Sequence, residues 1–130
     1  MITAGNIVSP FDAWLVLRGS KTLALRVRQA SENALEIAKW LETNPLIDKV
    51  LYPGLESHPN HLIAKKNAKK QTLSGGGGVL SFYVKGDREQ TNRFLSSLKL
   101  ITLGVSLGGV ESLIESPALM HHNAIPLETR

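Results

Sequence analysis

The stretch "LALRVRQASENALEIAKWLETNP", residues 23–45, constrains the fold more than any other part of the chain. Leu23, Val27, Ala30, Ala34, Ile37, Ala38 and Leu41 recur at three- and four-residue intervals, which predicts a helix from Lys21 to about Thr43. Asn44-Pro45 ends it, because the residue before a proline is pushed out of the helical region. A helix of about 20 residues is roughly 30 Å long, and its apolar stripe needs a partner layer.

The rest of the chain supplies that layer in short pieces. Ahead of the long helix, Ser9 is placed to cap a first helix, Pro10 suits its first position, and Asp12 meets the positive end of its dipole. Gly19 is expected to interrupt that helix. "IDKVLYP" reads as a strand ended by Pro53-Gly54, and residues 60–70 read as a polar helix. "VLSFYVK", rich in β-branched and aromatic residues, is the clearest strand. Gly86-Asp87 turns it into a helix from Arg88 to about Leu98, and "LITLGV" is a further strand. The order predicts an α/β domain of the two-layer α+β kind, its long N-terminal helix and further helices packed on one face of a small mixed or antiparallel sheet. At 130 residues the chain fits one domain, 1–130. "IPLETR" reads as a helix just starting and Gly5 to Ser9 as a bare lead-in, so the domain is expected to be truncated at both ends.

Charge and composition exclude several functions. The net charge of +4 raises the question of nucleic acid, but the densest basic run, Lys65, Lys66, Lys69 and Lys70, holds no aromatic residue for base stacking. It reads as a solvated helix face, and no nucleic-acid partner is expected. No run of eighteen apolar residues predicts a membrane span, and no basic leader precedes an apolar core. Cysteine is absent, which removes disulfides and thiolate chemistry and fits a cytoplasmic location.

The residues that could carry chemistry are few. The glycines at 75–78 lead into a strand, whereas a phosphate loop leads from a strand into a helix, so they read as a turn or a close approach. His58 and His61 flank Pro59 with no third ligand in reach, and of the possible set His121, His122 and Glu115 the two adjacent histidines diverge on any regular element; no metal site is expected. Trp14 and Arg18 are spaced for a cation–π contact on the first helix. "GVSLGGVESLIESPALMHH", residues 104–122, reads least like scaffold. Ser106 stands near a strand end, before Gly108-Gly109, where a hydroxyl suits a cofactor or substrate. It has no partner base in sequence, so it reads as an orienting group and not as a nucleophile. No catalytic residue is assigned.

"SPFDAWLVLRGSKTLALRVRQ", "YPGLESHPNH", "GGGGVLSFYVKG" and "SLGGVESLIESPALM" occur in the same order in the pyridoxal-phosphate-dependent trans-sulfuration enzymes, which the chain resembles from Gly5 to Arg130. "LRVRQA" and "AIPLETR" resemble the cystathionine gamma-lyase branch most. The resemblance implies the C-terminal domain of a fold-type I subunit, homotetrameric at full length, releasing cysteine, 2-oxobutanoate and ammonia from cystathionine. The synthase, beta-lyase and methionine gamma-lyase branches stay open, as does a reading of another class, a non-catalytic interaction module using its helices and an exposed sheet edge. It implies that pyridoxal 5'-phosphate is held mainly by an N-terminal domain carrying the cofactor lysine, whose motif is not in this chain, so the chain alone is expected to be inert. The family's substrate-carboxylate arginine lies beyond its "IP-x-E-x-R", and Arg130 is not that residue. By position, Ser106 matches the serine that contacts cofactor lysine and substrate, and Leu107 lines the same wall. Val105 stands where many cystathionine-processing members carry glutamate, an apolar replacement similar to methionine gamma-lyases. His121 stands in a pocket segment that commonly reads Met-Thr-His. Val105, Ser106, Leu107 and His121 are thus the implied substrate-binding set, with Ser106 also toward the cofactor.

Overall fold

The structure is a computed structural model and describes residues 5, 7–70, 76–120 and 126. Two compact units divide it, Met1–Tyr83 and Val84–Arg130. In the first, α1 (Pro10–Ser20), α2 (Leu23–Thr43), β1 (Ile47–Leu51), α3 (His61–Lys70) and β2 (Ser81–Val84) follow one another, β2 running to the unit boundary. β1 and β2 pair as a two-stranded sheet.

Local chemistry explains the boundaries. The Ser9 hydroxyl accepts the Asp12 amide at 3.2 Å and donates to the Asp12 carboxylate at 2.7 Å, so α1 starts where its cap residues stand. Gly19 does not interrupt it: α1 runs through Gly19 to Ser20, and the break falls at Lys21-Thr22. The Gly19 carbonyl accepts from the Arg26 guanidinium at 2.9 Å and from the Thr22 amide at 3.4 Å. Those donors satisfy a carbonyl that the helix end leaves open, so the stop sits after the glycine. α2 ends at Asn44, whose amide reaches back to the Leu41 carbonyl.

The core of this unit lies under one face of α2. Ser31, Ala34, Ala38 and Leu41, three or four residues apart, are buried, and Val50, Tyr52 and Leu55 complete the set. Leu35, Ile47, Leu80 and Phe82 pack around it. The predicted stripe is covered only in part: Ala34, Ala38 and Leu41 are buried, whereas Leu23, Ala30 and Ile37 stay exposed.

Tyr52, just after β1, is the largest fully buried side chain. Its hydroxyl lies 2.8 Å from the Gly77 carbonyl and 3.1 Å from the Ser31 carbonyl, sharing one proton between α2 and the glycine segment. A Cβ on Gly54 would strike the Tyr52 ring, and one on Gly76 would strike the Gly54 backbone nitrogen and crowd the same ring, so glycine is required where backbone closes over it. Of the described glycines before β2, Gly76 and Gly78 are close approaches, while Gly77, at φ +84° with open space beside it, forms a turn.

The second unit contains α4 (Arg88–Ser97), β3 (Thr102–Leu103) and β4 (Leu113–Ile114). α4 begins in a capping box: the Asp87 side chain accepts the Gln90 amide at 2.9 Å, and the Gln90 side chain accepts the Asp87 amide at 2.7 Å. Gly86, at φ +113°, sits against that box, and a Cβ there would fall on the Gln90 amide. β3 and β4 pair in parallel, Thr102 opposite Leu113 and Leu103 opposite Ile114. "LITLGV" thus shrinks to Thr102–Leu103, and β4 was not foreseen in the sequence. The start of a helix in residues 125–130 lies outside the described residues, apart from Pro126. Among the described residues, no helix is long and apolar enough to cross a membrane.

Candidate functional site

The segment 104–112 joins β3 to β4 and carries the residues singled out in the sequence. The Thr102 amide donates to the Ser112 carbonyl at 3.1 Å and the Gly104 amide to the Ile114 carbonyl at 3.0 Å, so both ends of the loop are pinned. Between them Gly108 adopts φ +78°, a left-handed conformation that side chains resist. A Cβ on Gly109 would meet the Glu111 carboxylate.

Val105, Ser106 and Leu107 stand on this one loop. Val105 is 51% exposed and Leu107 81% exposed, and the Ser106 hydroxyl makes no hydrogen bond among the described residues. Ser106 lies three residues past the last residue of β3, on the carboxyl side of a parallel strand. Ligands gather at that side of parallel strands. An unengaged hydroxyl between two exposed aliphatic side chains can donate or accept one hydrogen bond and exclude water beside it. No base touches it, so the arrangement orients a ligand and does not make a nucleophile. His121 and His122, with Arg130, lie outside the described residues.

These features fit one wall of a pyridoxal-phosphate pocket. The apolar side chains suit the flank of an aromatic ring or a substrate side chain, and the hydroxyl suits an amine or carboxylate. They do not fit the phosphate end, because the Glu111 carboxylate beside Gly109 repels an anion.

The other candidates resolve into scaffold. His61 Nδ1 lies 3.0 Å from the Pro53 carbonyl and so donates to it, while His58 Nδ1 accepts the Asn60 amide at 3.2 Å. Both rings are thereby committed to the loop between β1 and α3. An open cleft of about 300 Å³ there is lined by Glu42, Asp48, Ser57 and His58. Ser57 donates to Glu42 at 2.5 Å and forms no hydrogen bond with His58, so no nucleophile–base pair is assembled. Among the described residues no group of three or more potential ligands can hold a metal ion. The Arg18 guanidinium sits 5.9 Å from the centre of the Trp14 ring, on an exposed helix.

Sequence reasoning missed Tyr52 as a key residue. Burial pushes its phenol above the usual value near 10, partly offset by a backbone hydrogen bond from Gly76. Only its place before Pro53-Gly54 hinted that its ring faces glycines.

Comparison with known proteins covers the whole chain. The family described as Cys/Met metabolism PLP-dependent enzyme matches residues 1–130. Over 126 residues the chain is 49% identical to a cystathionine beta-lyase of Coxiella burnetii and 48% identical to the cystathionine gamma-lyase of Mus musculus. Those alignments take in 97% of this chain but 31% and 30% of the relatives. Among solved structures, cystathionine gamma-lyase from yeast superposes with a TM-score of 0.87 at 48% identity, covering 98% of this chain and 32% of that one. Cystathionine gamma synthase from Xanthomonas oryzae pv. oryzae gives 0.82 at 41%, with the same coverage. The chain spans about a third of the length of these relatives.

Proposed function

The chain belongs to the Cys/Met metabolism PLP-dependent enzyme family, and from that premise we propose that it is the C-terminal domain of a carbon–sulfur lyase acting on cystathionine. The observation that carries this reading is the family match over all 130 residues, with relatives named as cystathionine lyases at nearly half identity. The full-length enzyme of this reading is a cytoplasmic homotetramer.

In that enzyme the cofactor supplies an electron sink for carbanion chemistry on the amino acid. This chain's own part is positioning. The Ser106 hydroxyl holds the amine of the cofactor lysine or the substrate in line by one hydrogen bond. Val105 and Leu107 form an apolar flank that keeps water from the substrate side chain. The left-handed turn at Gly108, a conformation that side chains resist, sets the course of this wall.

Val105 is the proposed determinant of substrate choice, because a carboxylate in its place would attract the distal ammonium of cystathionine and an aliphatic group cannot. Changing Val105→Glu in a full-length parent should raise kcat/KM for cystathionine relative to methionine about tenfold, the worth of one modest charge contact. An unchanged ratio would remove Val105 from that role.

The chain by itself is proposed to be inert, since the lysine that holds the cofactor belongs to the other domain of this reading. Mixing the chain with pyridoxal phosphate should give no stoichiometric absorbance band that borohydride fixes at one lysine. A fixed adduct accompanied by cystathionine turnover refutes the proposal.

A further inference from the structure

Positive charge is concentrated on one stretch of this chain. Residues 57–86 hold five lysines, Lys65, Lys66, Lys69, Lys70 and Lys85, and no aspartate or glutamate. They carry +5 against a chain total of +4, which leaves −1 for everything else. Four of the five lysines belong to α3.

The structure shows what shares a face with them. His61, Ala64 and Ala68 are half-buried, and His61 is tied to the Pro53 carbonyl, so this side of α3 is turned to the protein. Leu62, 78% exposed, and Ile63, 60% exposed, lie on the outer side with Lys65 and Lys66. Lys65 and Lys66 stand three and four residues after Leu62, so they flank it on the helix surface. Neither lysine makes an ion pair or a hydrogen bond among the described residues. The other charged helices differ: Lys39 meets Glu36 at 2.9 Å on α2, and Arg93 meets Glu89 at 3.9 Å on α4. On α3 the charges spaced to interact, Lys65 with Lys69 and Lys66 with Lys70, are of like sign, which disfavours the helix. The negative end of the helix dipole accounts for Lys69 and Lys70 in the last turn, but not for Lys65 and Lys66 in the middle. An apolar centre edged by cations that lack counter-ions is the anatomy of one half of an interface.

Three anionic occupants ask for different surfaces. Nucleic acid asks for aromatic platforms or arginine forks, and α3 has neither. A bilayer takes an interfacial helix whose apolar and charged faces are opposite. Here Leu62 sits among the lysines, and the opposite face is turned inward. A protein helix with carboxylates around an aliphatic side chain matches both features. Its apolar residue meets Leu62 and Ile63 while its carboxylates reach Lys65 and Lys66.

We infer that the outer face of α3 is a docking surface for an acidic protein segment, a helix whose aliphatic or aromatic residue is bracketed by aspartate or glutamate.

The test titrates the chain with a labelled peptide of about a dozen residues, glutamate-rich with two leucines one helical turn apart, and reads fluorescence anisotropy. The peptide should bind at about 50 mM salt and bind about tenfold more weakly at about 300 mM. Lys65→Glu with Lys66→Glu should weaken binding about tenfold or more, and Leu62→Ala about fivefold. These side chains are exposed, so unchanged hydrogen-exchange protection of residues 31–41 shows that the fold is intact in each variant. A peptide that does not bind, or that binds the double variant equally well, overturns the proposal. If vesicles of about 30% phosphatidylserine in phosphatidylcholine bind the chain and the peptide does not, the occupant is a membrane and the proposal is wrong. If duplex DNA competes as well as unlabelled peptide and Leu62→Ala has no effect, the face attracts any polyanion, which also overturns it. The same titration on a full-length parent should give an affinity within about threefold. Loss of binding there would show that the enzyme's own chain covers α3, and the proposal fails.

Discussion

In Met1–Tyr83 seven described residues are buried, whereas in Val84–Arg130 none of the described residues is, and Leu113 and Ile114 are only partly buried. The first region is ordered by burial: small residues on α2 let Tyr52 and Leu55 close against them. The second is ordered by hydrogen bonds, in the Asp87–Gln90 box, the β3–β4 ladder and the turn where the Leu119 and Met120 amides both reach the Ser116 carbonyl. The candidate site residues Val105, Ser106 and Leu107 stand in the second. Hydrogen bonds fix local geometry but each adds only about 1 kcal/mol net, while each buried large side chain adds roughly 1.5–3 kcal/mol. The difference teaches that the scaffold and the site wall of this chain respond to different perturbations.

The largest effect should come from emptying the first region's centre. Tyr52→Ala removes its largest fully buried side chain and should cost about 3–5 kcal/mol, read as a lower urea midpoint by circular dichroism. A loss under about 1 kcal/mol would break the claim that burial holds this region. Next, Gly54→Ala should cost about 1–3 kcal/mol by forcing a methyl group into the Tyr52 ring. In a Tyr52→Leu background that cost should shrink, and a double-mutant cycle without coupling would show that the ring is not what Gly54 accommodates.

Alkaline pH sharpens the comparison further. Tyr52 holds its proton more tightly when folded than when unfolded, because burial raises its pKa above 10. Its contribution is therefore fully present below pH 10 and is lost as pH rises from there toward the folded value, with a slope of up to about 1.4 kcal/mol per pH unit. Subtracting the pH profile of Tyr52→Phe from that of the unmodified chain should isolate this slope; parallel profiles would contradict it. The smallest effect belongs to the second region. Asp87→Ala should cost about 1 kcal/mol of helix stability. Amides in residues 92–97 should then exchange about fivefold faster. Those in residues 31–41 should not change, and a change there would show that the two regions are not independently ordered.

Elements with chemical punctuation were legible in the sequence. Ser9-Pro10 before α1, Asn44-Pro45 after α2 and Gly86-Asp87 before α4 each name a cap or a stop, and the bounds agree within two residues. "SFYV" was legible because β-branched and aromatic residues cluster there. The break after α1 was misplaced because a glycine's weak helix propensity was weighed without Arg26, whose guanidinium reaches Gly19 from seven residues away. β4 was missed because Leu113 and Ile114, between Ser112 and Glu115, are too short a run to show an alternating period. Tyr52 was missed because its partners, Ser31 and Gly77, are 21 and 25 residues distant, and no local pattern reports such a contact. Of the site, the sequence pattern offered a hydroxyl before two glycines; its role came from family resemblance, because nothing in residue spacing encodes a wall whose ligand lies elsewhere.

The parallel pairing of β3 with β4 sets a limit on the loop between them. Parallel neighbours ordinarily need a return path of about a dozen residues or more, and here only 104–112 make it. The path suffices because each strand is two residues long. Extending the ladder by one rung would draw residues out of the loop and lengthen the distance the remainder must cover. Slack in the loop and length in the ladder are thus one shared length of chain. Lengthening the segment should loosen Ser106 without disturbing the strands, and shortening it should unzip β3 from β4 before it tightens anything.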